Sequence, residues 1–196
     1  PTPALCLGPC EISVGEMVGA YTAFPNNGIR TEPLFVTRIE DSEGNIVATF
    51  TPKTYEVISR ESSYKMIDMM RAVIDEGTGR RLRFRYGLKA EIAGKTGTTN
   101  DNADGWFMGY TPSLVSGCWV GGADRDIHFT SVSDGQGASM ALPIWALYMQ
   151  KVYADESLGY SQEGKFNIPE DFDPCAQQTL INNFAEEQQL DESFDF

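Results

Sequence analysis

The strongest constraint on the fold lies between Lys89 and Gly121, where three strand-like runs follow one another with little chain to spare. They are Lys89 to Thr98, Gly105 to Thr111 and Leu114 to Gly121, and Thr111-Pro112-Ser113 is the whole link between the last two. Links this short suit antiparallel neighbours, since a parallel return needs a long crossover. The first run carries Lys95-Thr96-Gly97-Thr98-Thr99 behind Glu91-Ile92-Ala93-Gly94. A glycine beside a lysine and hydroxyls lets a ligand come close to the backbone, because no Cβ stands in the way. The lysine can then meet an anion while the hydroxyls orient it. This is an anion-reading strand edge whose chemistry the five residues alone leave open.

The flanking elements follow from periodicity. Glu11 to Phe24 reads as a helix with Ser13 as N-cap, Glu16 three residues on as in a capping box, and Met17, Val18, Tyr21 and Phe24 on one face. Pro25-Asn26-Asn27-Gly28 ends it. Pro33 to Phe50 predicts a hairpin turning at Asp41 to Asn45. Ser59 to Glu76 predicts a second helix, stopped by Gly77-Thr78-Gly79. From Arg80 to Lys89, Leu82, Phe84 and Tyr86 alternate with arginines, which predicts an extended segment with a solvated basic face; the functional alternative is a rim that attracts carboxylates. Met140 to Tyr153, apolar on most sides, predicts a helix packed on the sheet. The order of elements gives an α+β protein with an antiparallel sheet and packed helices. No internal repeat is visible.

Charge and cysteine content narrow the function classes. The net charge is −13, and residues 170–196 hold eight acids with no Lys or Arg, so the excess is concentrated in that tail. Nucleic acid is a poor partner for such a chain, because phosphate binding needs positive patches. The tail is expected to be partly disordered, or to form one short helix near Ala176 to Gln189. Cys6 and Cys10 have a bridgeable spacing, and Cys118 and Cys175 stand alone. With a single histidine, His128, and no CxxC pair, neither a structural metal nor a cofactor is expected. His128 reads as a loop residue, and Trp106, Trp119 and Trp145 read as core. No apolar run reaches the ~18 residues of a membrane helix. The start at Pro1, in mid-pattern and without methionine, suggests a piece of a longer chain.

Lysine-threonine-glycine is one of three motifs of penicillin-binding proteins and serine β-lactamases, and here the surroundings agree with it. Ala93 to Asp101, then Gly105-Trp106-Phe107-Met108-Gly109-Tyr110-Thr111-Pro112, then Cys118-Trp119-Val120-Gly121 resemble the transpeptidase domain of class A, bifunctional penicillin-binding proteins. Glu16-Met17 through Tyr21, Glu32-Pro33, Arg38-Ile39-Glu40-Asp41, Gly77-Thr78-Gly79-Arg80 and Ala141-Leu142-Pro143-Ile144-Trp145 match in the same order. The resemblance implies the partial fold of a penicillin-binding protein/serine β-lactamase-like transpeptidase over residues 1–155, with 156–196 as an acidic extension. It departs from the family where the nucleophile should be. No S-x-N occurs, and Ser62-Ser63-Tyr64-Lys65 spells S-x-x-K in the helix before Gly77, too close to Lys95 to leave room for the middle motif. Ser62 therefore reads as a decoy, and both missing motifs are expected upstream of Pro1.

What the resemblance implies for the site is specific. Lys95 would supply positive potential, the Thr96 and Thr98 hydroxyls would hold the terminal carboxylate of a stem peptide ending in D-Ala-D-Ala, and Gly97 and Thr99 would line the same strand. The Thr98 N–H would be one arm of the oxyanion hole. The partners would be such peptides and β-lactams. The parent would also be a glycosyltransferase, held to the bacterial inner membrane by a missing N-terminal anchor with this part on the periplasmic side. The fragment alone would be inactive. Two alternatives stay open: a piece of a monofunctional D,D-carboxypeptidase or β-lactamase-type hydrolase, and a non-enzymatic module that binds peptidoglycan or a partner protein.

Overall fold

The computed structural model describes residues 3, 8 and 10–175. Helix α1 (Val14–Tyr21) is shorter than the predicted span, and its start is set by the expected capping box: the Ser13 hydroxyl accepts from the Glu16 N–H, and the Glu16 carboxylate accepts from the Ser13 N–H at 2.9 Å. Strands β1 (Ile29–Thr31) and β4 (Thr54–Glu56) pair antiparallel. Between them, β2 (Arg38–Glu40) and β3 (Ile46–Thr49) form the predicted hairpin, with Pro33 to Val36 outside the ladder. Its turn is tied by Asp41, whose carboxylate accepts from the N–H groups of Glu43 and Asn45. The hairpin arm is solvent-exposed, with Phe35 93% and Val47 66% accessible, so apolar surface is uncovered there.

Helix α2 (Arg60–Asp75) begins at Ser59, whose hydroxyl accepts from the Ser62 N–H. The segment after it differs from expectation. Arg81–Phe84 is a short helix, α3, with Leu82 fully buried, rather than an extended strand. Arg80 and Arg85 are exposed, but Arg81 and Arg83 do not belong to a free basic face. Arg81 donates to the Ala138 carbonyl and the Ser139 hydroxyl, and Arg83 donates to the Leu88 and Ala90 carbonyls and pairs with Asp75 at 2.8 Å. Guanidinium groups here donate to backbone carbonyls, those of Leu88 and Ala90 in irregular chain, which a basic, alternating sequence does not distinguish from a solvated edge.

The central sheet has the order β5 (Ala93–Thr98), β6 (Asp104–Tyr110), β7 (Val115–Gly121), all antiparallel as predicted. Register pairs Lys95 with Met108, Gly97 with Trp106, and Trp106 with Trp119. Side chains alternate between the two faces, so Phe107 turns the opposite way from Trp106. Phe107 lies under helix α5 (Gly137–Ala154), which a four-residue turn, α4 (Val132–Gly135), precedes. Its ring meets Trp145 edge-on at 5.1 Å, and Ile74, Leu82, Ile92, Leu142 and Met149 complete that core. A second cluster joins Ile67 and Met70 of α2 to Ala93, Tyr110 and Phe166, with Tyr21 and Phe24 against it. Helix α2 contributes to both clusters and so closes the edge of β5 at its Ala93 end.

The chain after Ala154 packs back onto this body for part of its length. Phe166 is buried, its N–H donates to Glu91 at 2.8 Å, and the Phe172 ring meets Tyr64. The helix expected at Ala176 to Gln189 lies outside the described residues. Among those residues, no helix is long and apolar enough to cross a membrane.

Candidate active site

The site is built on the uncovered stretch of β5. The Thr99 N–H donates to the Asp104 carbonyl of β6 at 3.1 Å. Backbone groups along a strand alternate in direction, so the Thr98 N–H faces the open edge, on the side away from β6. The Thr96 carbonyl faces that edge too, and the Lys95 ammonium donates to it at 2.7 Å. A cation, a carbonyl and an unpaired strand N–H thus share one edge.

The two hydroxyls are fixed by other elements. Thr98 Oγ1 accepts from the Gly137 N–H, the first residue of α5, at 3.0 Å. That bond needs a very close approach. A Cβ on Gly137 would stand 2.2 Å from the Gly97 carbonyl oxygen and 2.5 Å from that of Trp106. Glycine is therefore the residue that lets α5 abut the strand. Thr96 Oγ1 lies 2.8 Å from Thr78 Oγ1 in the turn after α2. Thr98 uses its oxygen as acceptor, and one of the paired hydroxyls keeps its hydrogen. Thr98 and the Thr96–Thr78 pair therefore each retain a proton that can be offered to an anion.

Lys95, Thr96, Gly97, Thr98 and Thr99 all line one open cleft of about 810 Å³. Ser13, Met17 and Tyr21 form its wall, and Met108, Trp106 and Trp119 form its floor. Trp106 and Trp119 correct the sequence expectation: they belong to the cleft, Trp119 being 41% exposed, while Trp145 is core as expected. The strand register carried the missed signal, since Gly97, Trp106 and Trp119 sit side by side across the sheet. Asp104 and Arg125 extend the cleft past Thr99. Asp104 accepts from Trp119 Nε1 at 3.1 Å and from the Thr99 hydroxyl at 3.2 Å.

Of the residues set aside from the sequence, Ser62, His128 and Cys118 stay apart from the cleft, whereas Cys10 lies on its rim. Ser62 lies in the first turn of α2, its hydroxyl accepting from that of Ser59 at 2.9 Å, and is not part of the lining. His128 is in an exposed loop with Nδ1 3.2 Å from the Phe129 carbonyl. Cys10 is an exposed thiol whose suggested partner, Cys6, lies outside the described residues. Cys118 is half-buried, and burial pushes its thiol up from the usual range. Among the described residues, no three His, Cys, Asp or Glu side chains are grouped to hold a metal ion.

The chain thus presents lysine, threonine and glycine on the exposed edge of an antiparallel sheet that a helix backs on the opposite face, and comparison with known proteins shows its family. The penicillin binding protein transpeptidase domain family matches residues 3–117. Penicillin-binding protein 1A of Aquifex aeolicus is 38% identical over 76% of the chain, and that of Pseudomonas aeruginosa is 30% identical over 79%. The crystal structure of penicillin-binding protein 1A from Haemophilus influenzae superposes with a TM-score of 0.74 at 25% identity, over 86% of this chain and 30% of that one. The chain belongs to the penicillin-binding protein transpeptidase family. It spans 20% of the length of the Aquifex relative and 24% of the Pseudomonas one.

Proposed function

We propose that this chain is the lysine-threonine-glycine side of a D,D-transpeptidase that crosslinks peptidoglycan stem peptides through a serine acyl-enzyme. One observation carries the reading: the open edge of β5 presents the Thr98 N–H and the Lys95 ammonium to the same cleft. In this reading a serine from outside residues 1–196 attacks the carbonyl between two D-alanines. The Thr98 N–H is one donor to the oxyanion, and the serine's own N–H is the other. D-Alanine leaves with a proton, and an amine from a second stem peptide attacks the acyl-enzyme. The Thr96 and Thr98 hydroxyls, each already fixed by Thr78 or Gly137, donate to the terminal carboxylate. Lys95 supplies positive charge beside the nucleophile, and Gly97 and Thr99 leave the strand face flat for the acyl chain. A β-lactam follows the same path and stops at the acyl stage.

The reading extends to the whole protein: a class A enzyme that is also a glycosyltransferase, anchored in the inner membrane with this portion in the periplasm. The relatives named penicillin-binding protein 1A support this. Losing one oxyanion donor costs about 10²–10³ in rate, and this chain lacks the nucleophile as well, so it is inactive alone. The test is intact mass after incubation of the chain with benzylpenicillin. The expected result is unmodified protein. A stoichiometric acyl adduct refutes the inactivity of the chain alone, and one mapped to Ser62 makes that serine the nucleophile.

A further inference from the structure

The hairpin arm takes no part in the cleft and leaves a sheet edge open. Strands β2 and β3 form a two-stranded sheet of their own, and neither pairs with a third strand among the described residues. The Thr37 carbonyl accepts from the Phe50 N–H at 2.8 Å, and the Asp41 N–H donates to the Asn45 carbonyl at 2.9 Å. The backbone groups of Thr37 and Asp41 therefore point toward β3. Backbone groups alternate in direction along a strand, so those of Arg38 and Glu40 point the other way, to the open edge. The two side chains share one face, ion-paired at 2.6 Å, and stay 60% and 38% exposed. Ile39 is exposed on the other face. A two-stranded ribbon alone is marginal in water, and an open edge of this kind is a template for a further strand.

We propose that this edge is a homophilic contact, in which β2 of one copy pairs antiparallel with β2 of a second copy. Charge selects both the partner and the register. With the two-fold axis at Ile39, Arg38 lies opposite Glu40 of the partner subunit, and Glu40 lies opposite Arg38 of the partner subunit. The outward backbone groups of these residues then exchange hydrogen bonds. Each guanidinium sits between two carboxylates, one on its own strand and one across from it. Moving the axis to Arg38 or to Glu40 sets like charges face to face, which opposes pairing. Charges on an edge strand ordinarily keep other strands away. An opposite pair two residues apart is the arrangement that a two-fold axis turns into attraction. The two ribbons become one four-stranded antiparallel sheet, and the two Ile39 side chains meet on its other face.

Such a contact is small, so crosslinking is used to capture it, in the full-length parent with its own cysteines replaced by serine. Ile39 faces its counterpart in a non-hydrogen-bonded pair, where Cα atoms lie about 4.5 Å apart, within disulfide reach. Ile39→Cys is expected to give a disulfide-linked dimer under mild oxidation. Ala48→Cys, the register neighbour of Ile39 on β3, is the control. Three strand spacings, about 14 Å, separate the two copies there, and no dimer forms. In the Ile39→Cys background, Arg38→Glu replaces two opposite-charge pairs with two like ones and slows crosslinking by about 10- to 100-fold. Glu40→Arg does the same, and the two together restore the rate. An unchanged melting temperature reports that each variant is folded. An Ile39→Cys parent that forms no dimer overturns the proposal, as does equal crosslinking of Ala48→Cys, the mark of random collision. Single reversals that crosslink at the unreversed rate, or a double reversal as slow as either single one, overturn it too. None of these readouts depends on acyl transfer, so the proposal falls or stands separately from that reading.

Discussion

Replacing Gly137 with alanine tests whether the approach of α5 to β5 sets the site. The added Cβ would lie 2.2 Å from the Gly97 oxygen and 2.5 Å from the Trp106 oxygen, both backbone atoms that no side-chain rotation can move. Carbon–oxygen contacts normally lie near 3.3 Å, so helix and strand must part by about 1 Å. Overpacking of this kind costs about 1–3 kcal/mol. Stretching the Gly137 N–H bond to the Thr98 hydroxyl adds about 1 kcal/mol. Together these lower the melting temperature by roughly 4–16 °C for a body of this size. The same displacement tilts the Thr98 N–H away from the oxyanion position, and a 1 Å error can cost about 10²-fold in rate. In the full-length parent, the second-order rate of penicillin acylation is therefore expected to fall by about 10- to 100-fold. Gly15→Ala is the control: no atom lies within 4 Å of its added Cβ, and helix α1 gains an alanine. A Gly137→Ala enzyme with wild-type melting and acylation refutes the reasoning.

Two further outcomes concern the frame around the site. Ser13→Ala removes the α1 cap and costs about 0.5–2 kcal/mol, read by chemical denaturation. Its partner Glu16 adds a pH signature: the hydrogen bonds to Ser13 hold its carboxyl below the usual range. A carboxyl lowered in the folded state stabilises above its unfolded value and loses that contribution as pH falls through the folded one, so the Ser13→Ala deficit shrinks in acid. Arg83→Met strands the Leu88 and Ala90 carbonyls along with Asp75, and destabilises by about 1–3 kcal/mol; an unchanged denaturation midpoint would show those carbonyls finding water instead.

The sheet was legible because its signals are local. Three runs separated by turn residues fix the order and the antiparallel sense, and Ser13 with Glu16 marks the start of α1. Ser62 could be set aside on spacing, and the structure gives it a structural setting in the first turn of α2. The segment from Arg80 to Lys89 was misread because alternation over a few residues fits one helical turn as well as a strand. Only the burial of Leu82 and the carbonyls facing the arginines separate the two. The tryptophans illustrate a different limit. All three are large and apolar, but Trp145 points into the core from α5 while Trp106 and Trp119 share the face of Lys95. Which face meets a cleft is decided by α1, a partner distant in sequence. Arg125 carries no signal in its polar loop until Asp104 and Trp119 are seen beneath it. Likewise the acidic composition after Ala154 hides Phe166, whose burial depends on Tyr110 and Ile67.

The most direct test of the account is Lys95→Ala in the full-length parent, read with labelled penicillin and peptide mapping. The account predicts a wild-type adduct on a serine outside residues 1–196, and acylation slowed by about 10²–10³ in the variant, the loss typical of one transition-state donor. Acylation of the variant at the wild-type rate, or an adduct on a residue of this chain, would contradict it.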